Sequence, residues 1–299
     1  MYESFFGLNS DPFRLNADHR FCFNHPSYIR AKGSVQYALY RAEGFVMITG
    51  RPGTGKTTLA ADLLASLSPD KYEISHVVSS QLEGGDLLRM ASYAFGLGVQ
   101  QQKAHLLMQL MAFLAERHQQ GMRSVLIIDE AQGLAPSALH ELRRLSDLQH
   151  DNHPLLQIVL LGQEGLRERL RTPEMEAIHQ RLVAAWHLEP LGPEDTIRYV
   201  RHRLEQAGWS GDPGFAPGVL PIVHQFSEGI PRRINLICNR LMLYAFLAES
   251  HAISAEDARA VMQELGEAEL VHPRKDDGDD SGAGRSEAGS RTRAAGGSA

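Results

Sequence analysis

The sequence predicts an α/β fold: a parallel sheet sandwiched by helices, followed by a small all-helical domain. Two observations predict it. Short apolar runs of strand length alternate with longer stretches whose apolar residues recur at helical spacing, and that alternation marks a parallel sheet with helices on both faces. After Pro190 the strand-like runs stop and only helical patterns continue.

Each element follows in order. Residues 1–27 begin MYESFFGLNSDPF and carry Phe5, Phe6, Phe13, Phe21 and Phe23 among turn residues. A free tail would not hold so many aromatics, so this is expected to be an arm packed on the body. The core, residues 28–191, then alternates. GFVMITG is a short apolar strand ending at glycine, and TGKTTLAADLLASL is a helix. YEISHVVSS is a strand, followed by the helices DLLRMASYAFGL and AHLLMQLMAFLAERHQQG. SVLIIDE and LLQIVLLGQ are near-continuous apolar strands, as expected where both sheet faces are buried. AAWHLEPL supplies a fifth strand.

The helical domain, residues 192–265, starts at Pro193-Glu194-Asp195, and TIRYVRHRLEQAG closes its first helix at Gly208. VLPIVHQFSEG and PRRINLICNRLMLYAFLAES are two more helices, and Ser254-Ala255-Glu256-Asp257 opens a fourth. No strand is expected here. Residues 266–299 lack apolar periodicity and are expected to be disordered.

Composition narrows the function classes. The 299 residues are 43% hydrophobic and 22% charged, with formal net charge −6. That is an ordinary soluble profile, and it argues against a general affinity for nucleic acid while leaving room for a local basic patch. Cys22 and Cys238 form no metal-spaced pair, so neither a zinc site nor a disulfide framework is expected, and a reducing compartment fits. The N-terminus has no signal-peptide pattern, and no uncharged apolar run approaches membrane-spanning length. A cytoplasmic protein that meets the membrane only through partners is the expectation. His140, His150, His153, His179 and His187 lack carboxylate or thiolate companions at metal-binding spacing, and His150 with His153 reads as a polar loop. The run Leu106-Leu107-Met108 with Leu110-Met111 reads as core.

Chemistry enters at Gly50-Arg51-Pro52-Gly53-Thr54-Gly55-Lys56-Thr57, which matches G-x-x-x-x-G-K-[ST] with a strand before it and a helix after it. Glycines let the backbone wrap a phosphate, and the loop N–H groups and the helix N-terminus face the anion. Lys56 is expected at the β and γ phosphates of ATP and Thr57 at Mg²⁺. Thr58 completes the candidate nucleotide-binding set. A chance glycine-rich turn is the bland alternative, and the flanking strand and helix disfavour it.

Asp129 and Glu130 end the strand SVLIIDE. A carboxylate at the C-terminal end of a buried strand lies on the ligand edge of such a sheet. Asp129 is therefore the second candidate for the Mg²⁺ shell, and Glu130 the candidate for polarising an attacking water. The alternative is that the pair merely ends a strand and caps the next helix. Gln163 ends the next strand, where its amide would orient that water or serve only as a helix cap.

These features together resemble the AAA+ ATPases of the P-loop NTPase class. MYESFFGLNSDPF, GFVMITGRPGTGKTT, SVLIIDEAQGL, LLQIVLLGQ and GIPRRINLICNRL resemble the secretion-pathway protein A (ExeA-type) ATPases. SSQLEGGDLLRMASYAFGL, LGQEGLRERLRTPEMEAIHQRL and HRLEQAGWSGDP resemble the branch associated with exosortase and PEP-CTERM systems. The resemblance spans about residues 1–265. It implies ATP hydrolysis with Mg²⁺, a homo-oligomer such as a ring or a nucleotide-dependent assembly, and envelope secretion or polysaccharide-system partners. It implies a site on the cytoplasmic side, peripheral at the inner membrane face. It places Gln163 at sensor 1 and Arg232 at the sensor-2 arginine of a helical lid. It also puts Arg181 where related ATPases carry an arginine finger acting on a neighbouring subunit. Arg181 also reads as a surface cation at a helix end, and Arg167, Arg169 and Arg171 are rivals. Larger ExeA-type proteins continue into a membrane-spanning segment and a peptidoglycan-binding region, whereas this sequence ends in a polar tail, so the shorter branch fits better.

Arg232 and Arg233 are neighbours in GIPRRINLICNRL. Adjacent helix residues point about 100° apart, so Arg232 is assigned to the nucleotide and Arg233 to the lid surface or a subunit contact. Phe5, Phe6, Leu8, Pro12 and Phe13 are expected either beside the adenine or on the sheet edge. Two other function classes remain open: a DNA-binding transposition-helper-type ATPase, and a nucleotide-gated scaffold with little turnover.

Overall fold

The computed structural model describes residues 1–16, 18–41, 44–79, 81–98 and 102–267. The tail expectation for 268–299 falls outside the described residues. Five strands form one parallel sheet: β1 Phe45–Gly50, β2 Tyr72–Val78, β3 Arg123–Asp129, β4 Leu156–Gly162 and β5 Leu182–Leu188. Their order across the sheet is β2-β3-β4-β1-β5. All five expected strands are present.

The central strands show why their sequences are largely apolar. Phe45 and Met47 of β1, Leu126 and Ile128 of β3, and Leu156, Ile158 and Leu160 of β4 enter one core. Val46 and Ile48, Val125 and Ile127, and Val159 and Leu161 enter the core on the opposite face. Alternation with period 2 therefore feeds two cores at once. Each such fully buried side chain contributes about 1.5–3 kcal/mol relative to exposure. The edge strands β2 and β5 are only partly buried.

Helices α4 Gly84–Ala94, α5 Lys103–Gln119, α6 Pro136–Ser146 and α7 Glu164–Leu170 cover the first face. Helices α2 Pro26–Arg41 and α3 Lys56–Ser66 cover the second. In α5, Leu106 and Leu110 are buried as expected, but Met108 and Met111 are exposed. The helical period carries them onto the solvent side, which corrects the reading of that whole run as core. The polar loop expected at His150 and His153 is a two-residue hairpin across which the two face each other, with Asp151 and Asn152 in left-handed turn conformation.

The second domain contains α9 Pro193–Gln206, α10 Val219–Ser227, α11 Pro231–Leu247 and α12 Ala255–Glu267. Its α12 begins with a reciprocal cap. Ser254 N–H donates to Asp257 Oδ2 at 2.7 Å, and Asp257 N–H donates to Ser254 Oγ at 3.1 Å. It is not wholly helical: Gly214–Phe215 pairs with Ala252–Ile253 in parallel. Two-residue pairings are too short to carry an alternating pattern in sequence. Among the described residues, no helix is long and apolar enough to cross a membrane.

The arm docks on this helical domain, not on the sheet edge. Tyr2, Phe6, Leu8, Phe13 and Phe21 share one core with Tyr199, Val200, Leu204, Ile234 and Leu241. Buried Arg203 fastens it. Its guanidinium donates to the carbonyls of Pro12 and Arg14 and, at 3.1 Å, to the Tyr199 hydroxyl, and it lies 4.8 Å from the Phe21 ring centre. Apolar burial explains the aromatics, and a guanidinium that is hydrogen-bonded and stacked meets the cost of burying a charge.

Candidate nucleotide site

The phosphate loop joins β1 to α3. Gly55 is the N-cap of α3 and no side chain caps that helix, so the first-turn N–H groups remain free to face an anion. Gly53 has φ +83°, and a Cβ there would sit 2.7 Å from Arg232 Cβ. The backbone conformation and this close approach of α11 both require glycine.

Lys56 is buried, and its Nζ donates to the carbonyls of Gly50 at 3.0 Å and Arg51 at 3.1 Å. Burial lowers its pKa from the ordinary lysine value, and the negative charges of Glu130 and Asp129 oppose that shift. The Lys56 ammonium is thus held over the loop by carbonyl partners. Thr57, one residue into α3, donates from Oγ1 to Asp129 Oδ2 at 2.7 Å. Asp129 is buried at the end of β3, and its Oδ1 accepts the Glu130 N–H at 2.8 Å.

Glu130 takes a left-handed backbone conformation, φ +54°, which is uncommon for a residue with a side chain and is held here by its surroundings. Its Oε2 accepts from Gln132 Nε2 and, at 3.5 Å, from Gln163 Nε2. Gln132 Oε1 in turn accepts the Gln163 N–H at 3.0 Å. Gln163 does occupy the N-cap position of α7, but its side chain makes no cap bond. The amide is therefore turned toward Glu130. Gln132 was missed in the sequence, where it reads only as the residue after Asp-Glu-Ala.

A cavity of about 460 Å³ opens over the loop. Pro52, Gly53, Thr54, Gly55, Lys56, Thr57 and Thr58 form its floor, with Glu130 at one side and Arg232 of α11 at another. The remaining wall includes Phe21, Phe23 and His25 from the second half of the arm, together with Tyr28 of α2 and Tyr199 of α9. Phe5, Phe6, Leu8, Pro12 and Phe13 are not in that wall. The arm residues considered for the adenine face thus lie away from the cavity, and later ones line it.

Several candidates lie outside the cavity. Arg51 turns away to pair with Glu228 at 2.6 Å. Gly50 is under the loop, where a Cβ would meet Thr54 Oγ1 at 2.7 Å. Arg233 does not face the cavity and pairs with Glu228 at 2.8 Å. Arg181 precedes β5 at the end of the sheet opposite the phosphate loop, where its carbonyl accepts the Phe45 N–H, and its guanidinium pairs with Asp147. It cannot touch this chain's own nucleotide cavity. Of its rivals, Arg169 donates to the Leu134 carbonyl, while Arg167 and Arg171 are exposed. His187 lies between Thr49 Oγ1, 3.0 Å from Nδ1, and Glu164 Oε1, 3.5 Å from Nε2.

Residues 40–170 match the AAA domain family. The segment has the fold of an AAA domain. The helical domain that follows packs as a lid over that domain's phosphate loop. The chain is also similar to General secretion pathway protein A of Aeromonas hydrophila, 38% identical over 271 residues. That match covers 89% of this chain and 48% of the relative, so the chain spans about half the relative's length. Among solved structures, the AAA fold is shared with the ORC2 protein of Aeropyrum pernix, at TM-score 0.64 and 18% identity over 83% of this chain and 72% of that one. Cdc6p of Pyrobaculum aerophilum gives 0.62 and 16% over 83% and 71%. RuvB of Thermotoga maritima gives 0.56 and 18% over 82% and 70%. At these identities the likeness establishes the fold alone.

The AAA domain fits Mg²⁺ with a nucleoside triphosphate. Among the described residues no group of three or more His, Cys, Asp or Glu could hold an ion unaided. Mg²⁺ needs no such cage, since it is commonly held by one or two carboxylates, water and substrate phosphates. The touching Thr57 hydroxyl and Asp129 carboxylate would offer Mg²⁺ a minimal oxygen pair of this kind.

Proposed function

We propose that this chain is a Mg²⁺-dependent ATPase whose cycle of ATP binding and hydrolysis moves the lid against the AAA domain. The observation that supports it best is the convergence of Thr57, Asp129, Glu130 and Gln163, from three separate segments, beside Lys56. Mg²⁺ would supply charge neutralisation across the phosphate oxygens. Lys56 binds the transferred phosphoryl group's oxygens and holds it in place. Glu130 accepts a proton from the attacking water, and Gln132 and Gln163 fix the carboxylate's direction so that the water is aligned. Arg232 brings positive charge from the lid and closes the cavity against solvent.

Arg181, remote from its own cavity, is assigned to a neighbouring subunit's nucleotide, which makes the active form a homo-oligomer. An arginine supplied in that way contributes roughly 10³-fold or more in rate. Similarity to General secretion pathway protein A supports work in an envelope secretion system, at the cytoplasmic face of the inner membrane and through partner proteins. The segments SSQLEGGDLLRMASYAFGL and LGQEGLRERLRTPEMEAIHQRL support the narrower reading of an exosortase-linked or exopolysaccharide system. Purified protein should release phosphate from ATP only when Mg²⁺ is present, and Lys56→Ala should abolish it. Absence of Mg²⁺-dependent turnover in both the monomeric and the assembled protein would overturn the proposal.

A further inference from the structure

Glu228 has no role in the site as described, yet it touches both domains. It follows α10 in left-handed conformation, φ +52°. One carboxylate oxygen, Oε2, lies 2.6 Å from Arg51 of the phosphate loop, and the other, Oε1, lies 2.8 Å from Arg233 of α11. Two further contacts fix the same short segment. Leu191, in the connection between the domains, donates its N–H to the Gly229 carbonyl at 2.8 Å, and any Cβ on Gly229 would overlap the Leu191 carbonyl oxygen. The Arg232 N–H donates to the Gly53 carbonyl at 3.2 Å. Residues 228–232 are thus tied to the interdomain connection and, at two separate residues, to the phosphate loop.

We propose that Glu228 is a positioning residue: by holding Arg51 and Arg233 at once, it sets where Arg232 stands over the phosphate loop and transmits phosphate-loop changes to the lid. The proposal deepens the ATPase reading and rests on it for its catalytic consequence. The reasoning is geometric. Arg233 cannot reach the cavity that its neighbour lines, because successive helix residues diverge by about 100°. Its pairing with Glu228 therefore acts as a rotational stop for the first turn of α11. Arg51 is part of the loop that must wrap the phosphates, so any shift of that loop on binding pulls the same carboxylate. Charge-assisted bonds to both oxygens give the contact direction as well as attraction.

The test is a double-mutant cycle on the full chain with Arg51→Ala, Glu228→Ala and both together. Two readouts are taken: the split of ATP turnover into kcat and KM, and amide hydrogen exchange across residues 229–234 without nucleotide. Glu228→Ala should lower kcat about tenfold, within the usual range of coupling between sites, with KM changed less. It should also speed exchange at the start of α11, and the double variant should be no worse than the more affected single variant. Additive losses, or an α11 start equally protected in Glu228→Ala, would overturn the proposal. Exchange does not depend on turnover. If the wild type fails to hydrolyse ATP, the ATPase reading falls while exchange still decides whether Glu228 holds the segment. Arg233→Ala provides a second variant should Glu228→Ala fold poorly, and it should reproduce the faster exchange.

Discussion

The hydroxyl of Thr57 donates to the carboxylate of Asp129 at 2.7 Å, joining residues 72 positions apart in the chain. One sits in the first turn of α3 and the other at the end of β3, so the sheet order, with β4 between β3 and β1, sets their meeting. The contact marks where an ion between protein and phosphate would be held. Asp129→Asn should retain nucleotide binding measured without metal but lose most of the gain in affinity that Mg²⁺ provides. Titration of a fluorescent ATP analogue with and without Mg²⁺ checks this, and an unchanged Mg²⁺ effect would remove Asp129 from the ion's shell.

Gln132 bonds to both Glu130 and the backbone of Gln163. Its loss would free the Glu130 carboxylate, the proposed base, to rotate. Gln132→Ala should reduce kcat by about 10- to 100-fold, in the range expected when alignment of a base is lost, with KM for ATP little changed. A steady-state comparison with Gln163→Ala should show the two losses to be non-additive.

The two lid arginines part company in the structure, since Arg232 lines the cavity and Arg233 pairs with Glu228. Arg232→Ala should therefore impair nucleotide binding directly. Arg181 faces away from its own site, so mixing Arg181→Ala with Lys56→Ala, each inactive alone, should restore partial turnover if subunits share sites. A mixture as inactive as its components would count against Arg181 acting in trans.

Glu228 also gives a pH prediction. Hydrogen bonding from Arg51 is the main reason its carboxyl lies below the ordinary value; burial opposes the shift and Arg233 adds to it. A depressed folded value stabilises the fold above the ordinary carboxylate range of about 4.3 and is lost as pH falls through the folded value. The melting-temperature gap between wild type and Glu228→Gln should thus be widest near neutrality and close in acid. A gap that widened in acid would contradict the assignment.

Arg203 bonds to the arm at two carbonyls while buried among aromatic rings. Arg203→Met keeps bulk but leaves Pro12, Arg14 and Tyr199 without their donor. The expected cost is about 2–4 kcal/mol, read as a lower melting temperature together with faster proteolysis within residues 1–27.

Much of this was legible in sequence because the signals were local and periodic. Val125 to Ile128 and Ile158 to Leu161 are apolar at every position and face one core or the other, and the phosphate loop is one continuous motif. What escaped depends on contacts between distant segments. Gln132 and Glu228 carry no pattern of their own, and each acquires meaning only when another domain or loop arrives beside it. The arm's aromatics announced burial but not the surface that buries them. The pairing of Gly214–Phe215 with Ala252–Ile253 is too short for any period to reveal.

The most direct test of the central claim is Glu130→Gln, which keeps the side chain's size and removes its basicity. Mg²⁺ and ATP should still bind at near wild-type affinity, while phosphate release falls by about 100-fold or more. A Glu130→Gln protein that hydrolyses ATP at the wild-type rate would contradict the account.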